Sequence, residues 1–396
     1  MALIPLGEQS ACSVEVPPLL QANGTLGLIA TNSIAQGESR EVGLDTMGAP
    51  VRRISTLLEP AGRVEGLPHQ LSENKGIAFE GCKLRGTGFI IEPSEAAEWI
   101  ASDAANRAVL FPYLNGDDLT SRHDTSASRW VIDFTGLDQT SASGFQLPFA
   151  RVSDAVRAER TRLGSRLRDN FWLYERPQAA MRKAIPALPE VLVIACTSKS
   201  VMPVRVSTGQ VFSNALDVFA TADYSEQAVL SSSLHQLWAI TYGSGMRNDP
   251  RYTPSDVFET FPRPVATVRV EESGRSLDRY RRDVMLRRDL GLTKLYNLVN
   301  NPAVADRDDP EIAGIRQAHV VLDTAVLDAY GWNDVDPQHG FHEYRKMLRW
   351  TLSPLARVEI LDRLLEENHR RKRDEVAMAL PTRGGRLGTE AATLFD

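Results

Sequence analysis

Two polar stretches of this sequence carry side chains that could read the edges of nucleic-acid bases. One spans residues 242–252 and contains Arg247, Asn248, Asp249 and Arg251. In a DNA groove, Arg pairs with guanine, Asn with adenine and Asp with cytosine. The other stretch, residues 197–205, places Thr, Ser, Lys and Arg side chains between two apolar segments. Both are also compatible with surface loops whose Gly, Asn and Asp serve turn geometry alone.

Other combinations that could support catalysis or metal binding are weak. The sequence contains neither a G-x-G-x-x-G nor a G-x-x-x-x-G-K-[ST] motif. Its histidines are scattered, and only His339 and His342 lie close together, so no set has the ligand spacing of zinc. Residues 231–235 (Ser-Ser-Ser-Leu-His) lack the Gly-x-Ser-x-Gly turn that exposes a catalytic serine. We therefore expect no catalytic residue, cofactor site or metal site in this chain.

Basic charge is concentrated locally, although the chain as a whole is acidic. The 396 residues have a net charge of −6 and are 42% hydrophobic, which excludes disorder throughout and suits two or three domains. The stretch 151–183 has eight Arg and one Lys against four carboxylates, and further basic runs occupy 275–288 and 370–373. Each run is compatible with a solvated helix face or with phosphate binding, because a guanidinium can donate two parallel hydrogen bonds.

The sequence also predicts a location. No stretch approaches the roughly 18 apolar residues of a membrane span, and residues 1–8 lack the basic region and apolar core of a signal peptide. The three cysteines are few, odd in number and far apart, as in a reducing compartment. We therefore expect a cytoplasmic protein with no membrane partner.

The elements that must position the polar stretches form a mixed region followed by a helical one. Strands are expected at 24–31, 130–134, 191–195 and 211–220, which are apolar or rich in β-branched and aromatic residues. Helices are expected at about 150–170 and 225–242. Two prolines at 262 and 264 end this region. Five more helices are expected beyond them, at about 271–289, 293–300, 310–330, 342–351 and 354–376.

Five sequence blocks recur in one protein family in the same order. They are V-L-F-P-Y-L-N-G at 109–116, R-W-V-I-D-F at 129–134, Y-G-S at 242–244, R-Y-T at 251–253 and F-E-T-F-P at 258–262. Together they closely resemble the target-recognition domain of the MmeI-like (type IIL) adenine-specific DNA methyltransferases and restriction–modification enzymes. Residues 287–297 and 360–368 are similar to that family's helical C-terminal domain, and residues 24–44 to the end of its methyltransferase domain.

This resemblance implies an α+β fold in four parts. A mixed target-recognition domain spans 51–265, and an α-helical C-terminal domain spans 266–380. Residues 1–50 resemble a truncated remnant of an α/β Rossmann-like methyltransferase domain. Residues 381–396, rich in Gly, Thr and Ala, are expected to form a flexible tail.

The resemblance also implies a reaction that the sequence does not fully support. The family methylates adenine N6 in double-stranded DNA with S-adenosylmethionine as donor, after flipping the adenine out of the stack. These 396 residues contain no Asn-Pro-Pro-Tyr-type motif and no glycine-rich strand–loop–helix for the donor. Both features lie upstream of residues 31–33 in the family. We therefore expect no methyl transfer from this chain alone.

Family members read bases through loops at positions matching 199–205 and 246–251. The resemblance therefore implies two groups of base-reading residues, namely Met246, Arg247, Asn248, Asp249 and Arg251 first, and Lys199, Ser200 and Arg205 second. Phosphate contacts, which position a protein without specifying sequence, are expected from Arg160, Arg162, Arg166 and Arg168.

Three functions remain open from the sequence. The first is DNA sequence recognition by a piece of a truncated or split adenine methyltransferase. The second is an active methyltransferase that forms when a separate chain supplies the S-adenosylmethionine site. The third is a protein-interaction subunit of a defence complex, in which the helical C-terminal half binds the partner.

Overall fold

The computed structural model describes residues 64–198, 200–246, 249–344 and 347–379, together with two short strands nearer the N-terminus. These are β1 (Gly43–Leu44) and β2 (Pro50–Val51), which pair in antiparallel fashion. The strand expected at 24–31, most of the expected methyltransferase remnant and the expected tail lie outside the described residues.

An antiparallel four-stranded sheet, here called the central sheet, lies between two layers of packed side chains. Its order is β3-β10-β7-β8, and its strands are β3 (Ala78–Glu80), β7 (Glu190–Ala195), β8 (Val204–Ser207) and β10 (Leu216–Phe219). Val191 and Val193 point into one hydrophobic core, and Leu192 and Ile194 point into the other. Because both faces are covered, β7 reads as a continuous apolar run, as the sequence predicted.

A second four-stranded sheet has the order β4-β6-β5-β9. It contains β4 (Ile90–Ile91), β5 (Leu110–Leu114), β6 (Arg129–Ile132) and β9 (Val211–Phe212). Only the β5–β9 pair is parallel. The strand expected at 211–220 is therefore two strands, since the chain passes from the second sheet to the central sheet between Phe212 and Leu216.

Eight α-helices of the described chain precede residue 265. They are α1 (Pro93–Ser102), α2 (Gly116–Ser121), α3 (Gln139–Ser143), α4 (Gln146–Arg160), α5 (Ser165–Asp169), α6 (Ala179–Ala184), α7 (Tyr224–Ser231) and α8 (Ser233–Tyr242). Each of the two long helices expected here is interrupted. Gly164 precedes α5, and Ser232 separates α7 from α8 because its Oγ accepts a hydrogen bond from the His235 amide and caps α8.

The chain after residue 265 is mostly helical, with α9 (Val268–Arg288), α10 (Leu292–Val299), α11 (Pro310–Tyr330) and α12 (Pro354–Ala379). The prediction of a helix at 342–351 is wrong. An antiparallel pair, β13 (Gly340–Tyr344) and β14 (Met347–Thr351), stands there. Phe341 lies opposite Trp350 with ring centroids 5.3 Å apart, and such aromatic cross-strand pairs favour a strand over a helix. No helix of the described chain combines the length and apolarity needed to cross a membrane.

The two cores join the mixed region to the later helices. The first core contains residues of the second sheet together with Val284, Leu295 and Ile312 from α9, α10 and α11. The second core contains α7 and α8 residues together with Leu322 and Ile360 from α11 and α12. The helices after residue 265 therefore complete the hydrophobic packing of the sheets.

Candidate functional site

A two-stranded ribbon, here called the recognition hairpin, leaves the end of α8. It consists of β11 (Ser244–Met246) and β12 (Asp249–Arg251). Ser244 lies opposite Arg251, and Met246 lies opposite Asp249. Arg247 and Asn248 stand between the strands in the sequence and lie outside the described residues, and only the backbone of Met246 and Asp249 is described. The sequence-predicted base-reading stretch is thus built around an antiparallel ribbon.

The base of the recognition hairpin is fixed to the central sheet. Arg251 forms a bridge with Thr197, just beyond β7. The Tyr252 amide donates to the Cys196 carbonyl at 2.7 Å. The buried Tyr252 hydroxyl lies 3.0 Å from Nε2 of His235 on α8. Sheet and helix therefore hold the hairpin on both sides, while the Arg251 residue is exposed.

A buried carboxyl group, that of Asp217, lies near the residues that anchor the hairpin. Asp217 on β10 lies opposite Glu80 on β3, is 1% exposed, and its Oδ2 has no hydrogen-bond partner among the described residues. Burial raises the pKa of Asp217 to about 7, although a hydrogen bond from Cys196 opposes the shift. Burial also raises the pKa of the Cys196 thiol. The anchor of the hairpin therefore contains a carboxyl group whose charge changes near neutral pH.

The second polar stretch contributes less than the sequence suggested. Lys199 lies outside the described residues. Ser200 is partly exposed, and its amide donates to Oγ of Ser198. Arg205 is 3% exposed and donates to the Ala222 carbonyl and to Oε1 of Gln227. A base-reading role for Arg205 is wrong, because its guanidinium is already bonded inside the protein.

Arg205 is buried because it occupies the middle of β8. Its register partner is Leu192 on β7, whose side chain belongs to the second core. Its guanidinium also lies over the Tyr224 ring, 4.0 Å from the centroid. The alternation of a strand has turned this arginine inward, where carbonyl and amide oxygens replace water.

The expected phosphate contacts divide into one buried and three exposed arginines. Arg160 is fully buried at the end of α4, and its donors bond to backbone carbonyl oxygens, so the expected phosphate contact is wrong. Arg162, Arg166 and Arg168 are exposed around α5. Arg168 pairs with Asp169 at 3.0 Å, whereas Arg162 has no hydrogen-bond or ion-pair partner among the described residues.

The other two basic runs are largely neutralised by carboxylates. On α9, Arg275 pairs with Glu271, and Arg287 and Arg288 pair with Glu311 and Asp309 of the α11 region. On α12, the paired cations are Arg370, Arg371 and Lys372, with partners Glu367, Asp374, Glu73 and Glu375. Most of these pairs lie within one helix, whereas Arg287, Arg288 and Arg371 also pair with carboxylates elsewhere in the chain.

The three histidines that the sequence analysis considered for catalysis or metal binding occupy structural positions. His235 is buried, and burial lowers its pKa to about 4, so the Ser-Ser-Ser-Leu-His run holds a neutral core imidazole. His339 bonds to the buried Asp323 at 2.7 Å, and His342 bonds to the Gln338 carbonyl. No cluster of three or more metal-binding side chains occurs in the part of the chain that the structure describes.

Comparison with protein-family models shows which family the chain belongs to. Residues 63–265 match the family model described as "MmeI, target recognition domain", which is half of the chain. The chain belongs to the MmeI target-recognition family. The match includes the central sheet, the second sheet, the recognition hairpin and the exposed arginines around α5. A search of curated proteins found no match.

A solved structure has the same overall fold as this MmeI-family chain. It is the type IIL restriction–modification enzyme MmeI in complex with DNA, and it aligns with a TM-score of 0.59 at 19% sequence identity. The alignment covers 82% of this chain and 39% of that one. This chain thus spans about two fifths of the length of the enzyme it matches.

One exposed arginine beside α5 was not among the sequence predictions. Arg85 directly precedes Gly86, in the segment between β3 and β4. Its backbone carbonyl accepts a hydrogen bond from Arg160, which stands two residues before Arg162 in the chain. No local sequence signal reports this contact, because the two residues lie 75 positions apart.

Proposed function

We propose that this chain recognises a specific sequence of double-stranded DNA as the target-recognition part of a restriction–modification system. The observation that carries the proposal is the family match over residues 63–265, which includes a ribbon held rigidly by the central sheet. The major groove of DNA admits a two-stranded β-ribbon. In this proposal the recognition hairpin supplies the base contacts, from Arg251 and from Arg247 and Asn248, which follow β11 in the sequence.

Base recognition by arginine has a specific chemistry. A guanidinium donates two parallel hydrogen bonds to O6 and N7 of guanine, which contributes about 1–3 kcal/mol of discrimination against other bases. A hairpin that is fixed at its base loses little conformational entropy when it binds. Met246, Asp249, Ser200 and Lys199 remain further base-reading candidates in this proposal, whereas Arg205 does not.

The catalytic part of the proposal lies outside these residues. Adenine-N6 methylation requires S-adenosylmethionine, whose site in α/β folds lies at the carboxyl ends of parallel strands. The two four-stranded sheets described here are antiparallel except for one strand pair, which differs from the parallel arrangement of such a site. We propose that methyl transfer needs a methyltransferase part beyond these sheets, or a separate chain that supplies it.

Selection of duplexes from a random-sequence library by the purified chain tests the proposed function. We expect enrichment of one sequence motif, and Arg251→Ala should relax the preference at one or two positions of that motif. Arg307→Ala is a matched control, since Arg307 is 87% exposed and lies far along the sequence from the hairpin. Recovery of a library with no enriched motif would contradict sequence recognition.

A further inference from the structure

Arg85 is held in an unusual backbone conformation on the protein surface. Its φ of 57° lies in the left-handed region, which costs a residue other than glycine roughly 1–2 kcal/mol. Its side chain is exposed and has no hydrogen-bond or ion-pair partner among the described residues. Backbone strain of this kind persists only where the surroundings enforce it, and it concentrates at functional positions.

The surroundings that enforce it are two neighbouring side chains of α4. Nε of Arg160 donates to the Arg85 carbonyl at 2.9 Å. Glu159 accepts hydrogen bonds from the amide and the hydroxyl of Thr87, at 3.1 and 2.6 Å. The segment also lies tightly on α4, because a Cβ added to Gly88 would stand 2.5 Å from Cβ of Ala155. Arg85 is thus presented on a fixed loop.

Arg160 joins this loop to residues 170–173, which directly follow the segment with the other exposed arginines. Its Nη2 donates to the Leu84 carbonyl at 2.6 Å, and its Nη1 donates to the Leu173 carbonyl at 2.8 Å. The Phe171 carbonyl lies 3.3 Å from the same Nη1. One buried guanidinium therefore fixes residues 84–85 and residues 171–173 relative to each other. Residues 161–170, which carry Arg162 and Arg166, connect Arg160 to the second of these segments.

The exposed arginines near Arg160 lack the carboxylate partners that most arginines on α9 and α12 have. Arg85 and Arg162 have no carboxylate partner among the described residues, and Arg166 reaches only the Glu175 carbonyl, at 3.5 Å. Glu159 of α4 accepts two hydrogen bonds from Thr87 and forms no ion pair among the described residues. Exposed, unpaired guanidinium groups on fixed loops suit phosphodiester oxygens, which accept two parallel N–H bonds.

We propose that Arg85, Arg162 and Arg166 bind the DNA backbone as a phosphate clamp, and that Arg160 is the positioning residue that aligns the two sides of this clamp. The proposal rests on the proposed DNA recognition and adds to it a site that is independent of the recognition hairpin. Phosphate contacts carry no sequence information. The clamp therefore contributes equally to binding of every duplex.

Salt-dependent binding of the full chain to a selected duplex and to a scrambled duplex tests the clamp. Each lost phosphate contact lowers the slope of log affinity against log salt by about 0.9. Arg85→Ala should show this loss on both duplexes and weaken both by the same factor, and Arg85→Ala with Arg162→Ala should lose about twice as much. Arg307→Ala should keep the wild-type slope. A wild-type slope in Arg85→Ala would overturn the clamp while DNA recognition stands.

Failure of the wild-type chain to bind any duplex would overturn the proposed function and the clamp together.

Two further variants test the positioning role of Arg160. Arg160→Lys keeps a charge but cannot reach all of the carbonyl groups, and Thr87→Val breaks the bond to Glu159 without changing any charge. Both should lower the salt slope and leave the ratio between selected and scrambled duplexes unchanged. A wild-type slope in folded Arg160→Lys would overturn the positioning role of Arg160. If Arg160→Lys does not fold, a wild-type slope in Thr87→Val would overturn the fixed presentation of Arg85 on which the clamp depends.

Discussion

Arg160 and Arg205 are buried arginines that serve as internal donors, although both lie in stretches where the sequence suggested DNA contacts. Their acceptors are carbonyl and amide oxygens between 10 and 76 residues away along the chain. Sequence composition reports that an arginine is present, but the direction of its side chain depends on a register and on contacts that only the fold defines. Arg162 and Arg251 carry the same composition signal but are exposed to solvent.

Replacement of Arg205 separates structural from base-reading roles. Arg205→Met should destabilise the chain by about 1–3 kcal/mol, because the Ala222 carbonyl and the Gln227 side chain lose their donor inside the protein. Thermal unfolding measures this loss. Duplex selection at a temperature where the variant is folded should return the wild-type motif, and a changed motif would restore Arg205 as a base reader.

Asp217 makes the free energy of unfolding of the chain depend on pH. Its folded pKa of about 7 exceeds the ordinary value of 3.8, so the folded chain holds this proton more tightly than the unfolded chain does. The resulting stability is complete below about pH 4 and is lost as the pH rises through about 7. Asp217→Asn, which resembles the neutral acid, should therefore stabilise the chain more strongly at pH 8 than at pH 5.

Unfolding by denaturant at several pH values measures that difference. His235 and His319 contribute an opposite trend, because burial lowers each pKa to about 4 and their stabilisation is lost as the pH falls from about 6.5 to 4. This trend is common to the wild-type and variant chains. An equal effect of Asp217→Asn at pH 5 and pH 8 would contradict the account of Asp217.

At the scale of elements, predictions succeeded where local signals agree with tertiary packing. The helix expected at 310–330 is α11, whose ends are set by Pro310 at the first turn and by Gly331 in the left-handed conformation. The helix expected at 342–351 failed because the Phe341–Trp350 contact, which defines the hairpin, joins residues nine positions apart. Neither expected long helix before residue 265 included its break, although Gly164 and Ser232 provided the signals.

Helix α9 approaches α7 closely at a glycine. A Cβ added to Gly274 would stand 2.2 Å from the Tyr224 carbonyl oxygen and 2.9 Å from Cβ of Ala228. Gly274→Ala should therefore destabilise the chain, although alanine is favoured over glycine by about 1 kcal/mol inside an exposed helix. Ser276→Ala, an exposed control on the same helix, should be neutral or slightly stabilising in thermal unfolding. A more stable Gly274→Ala chain would contradict the close packing of α7 against α9.

At the scale of the whole molecule, the mixed region and the later helices depend on each other. Asn368 of α12 donates to the carbonyl groups of His69 and Thr260, and Glu375 accepts a hydrogen bond from the Ser72 amide. Helix α12 therefore binds residues 69–72, near the beginning of the family match at 63–265. The sequence predicted a helical segment after residue 265, but the pairing of α12 with residues 64–75 spans about 300 positions and has no local signal.

Removal of the helices should disrupt the recognition region. A chain ended at residue 265 loses the second-core side chains of α9, α11 and α12, including Leu277, Leu322 and Ile360. We expect this shortened chain to lack a cooperative unfolding transition and to lose near-ultraviolet circular dichroism, while the full chain unfolds cooperatively. A cooperative transition in the shortened chain would contradict the shared cores.

The central claim is that this chain reads DNA sequence through the recognition hairpin and binds the backbone elsewhere. The most direct measurement is the affinity of the full chain for a selected duplex and for its scrambled counterpart across a range of salt concentrations. We expect both affinities to fall steeply with salt, a clear preference for the selected duplex at every concentration, and loss of much of that preference in Arg251→Ala. Equal affinity for the two duplexes at all salt concentrations would contradict the claim.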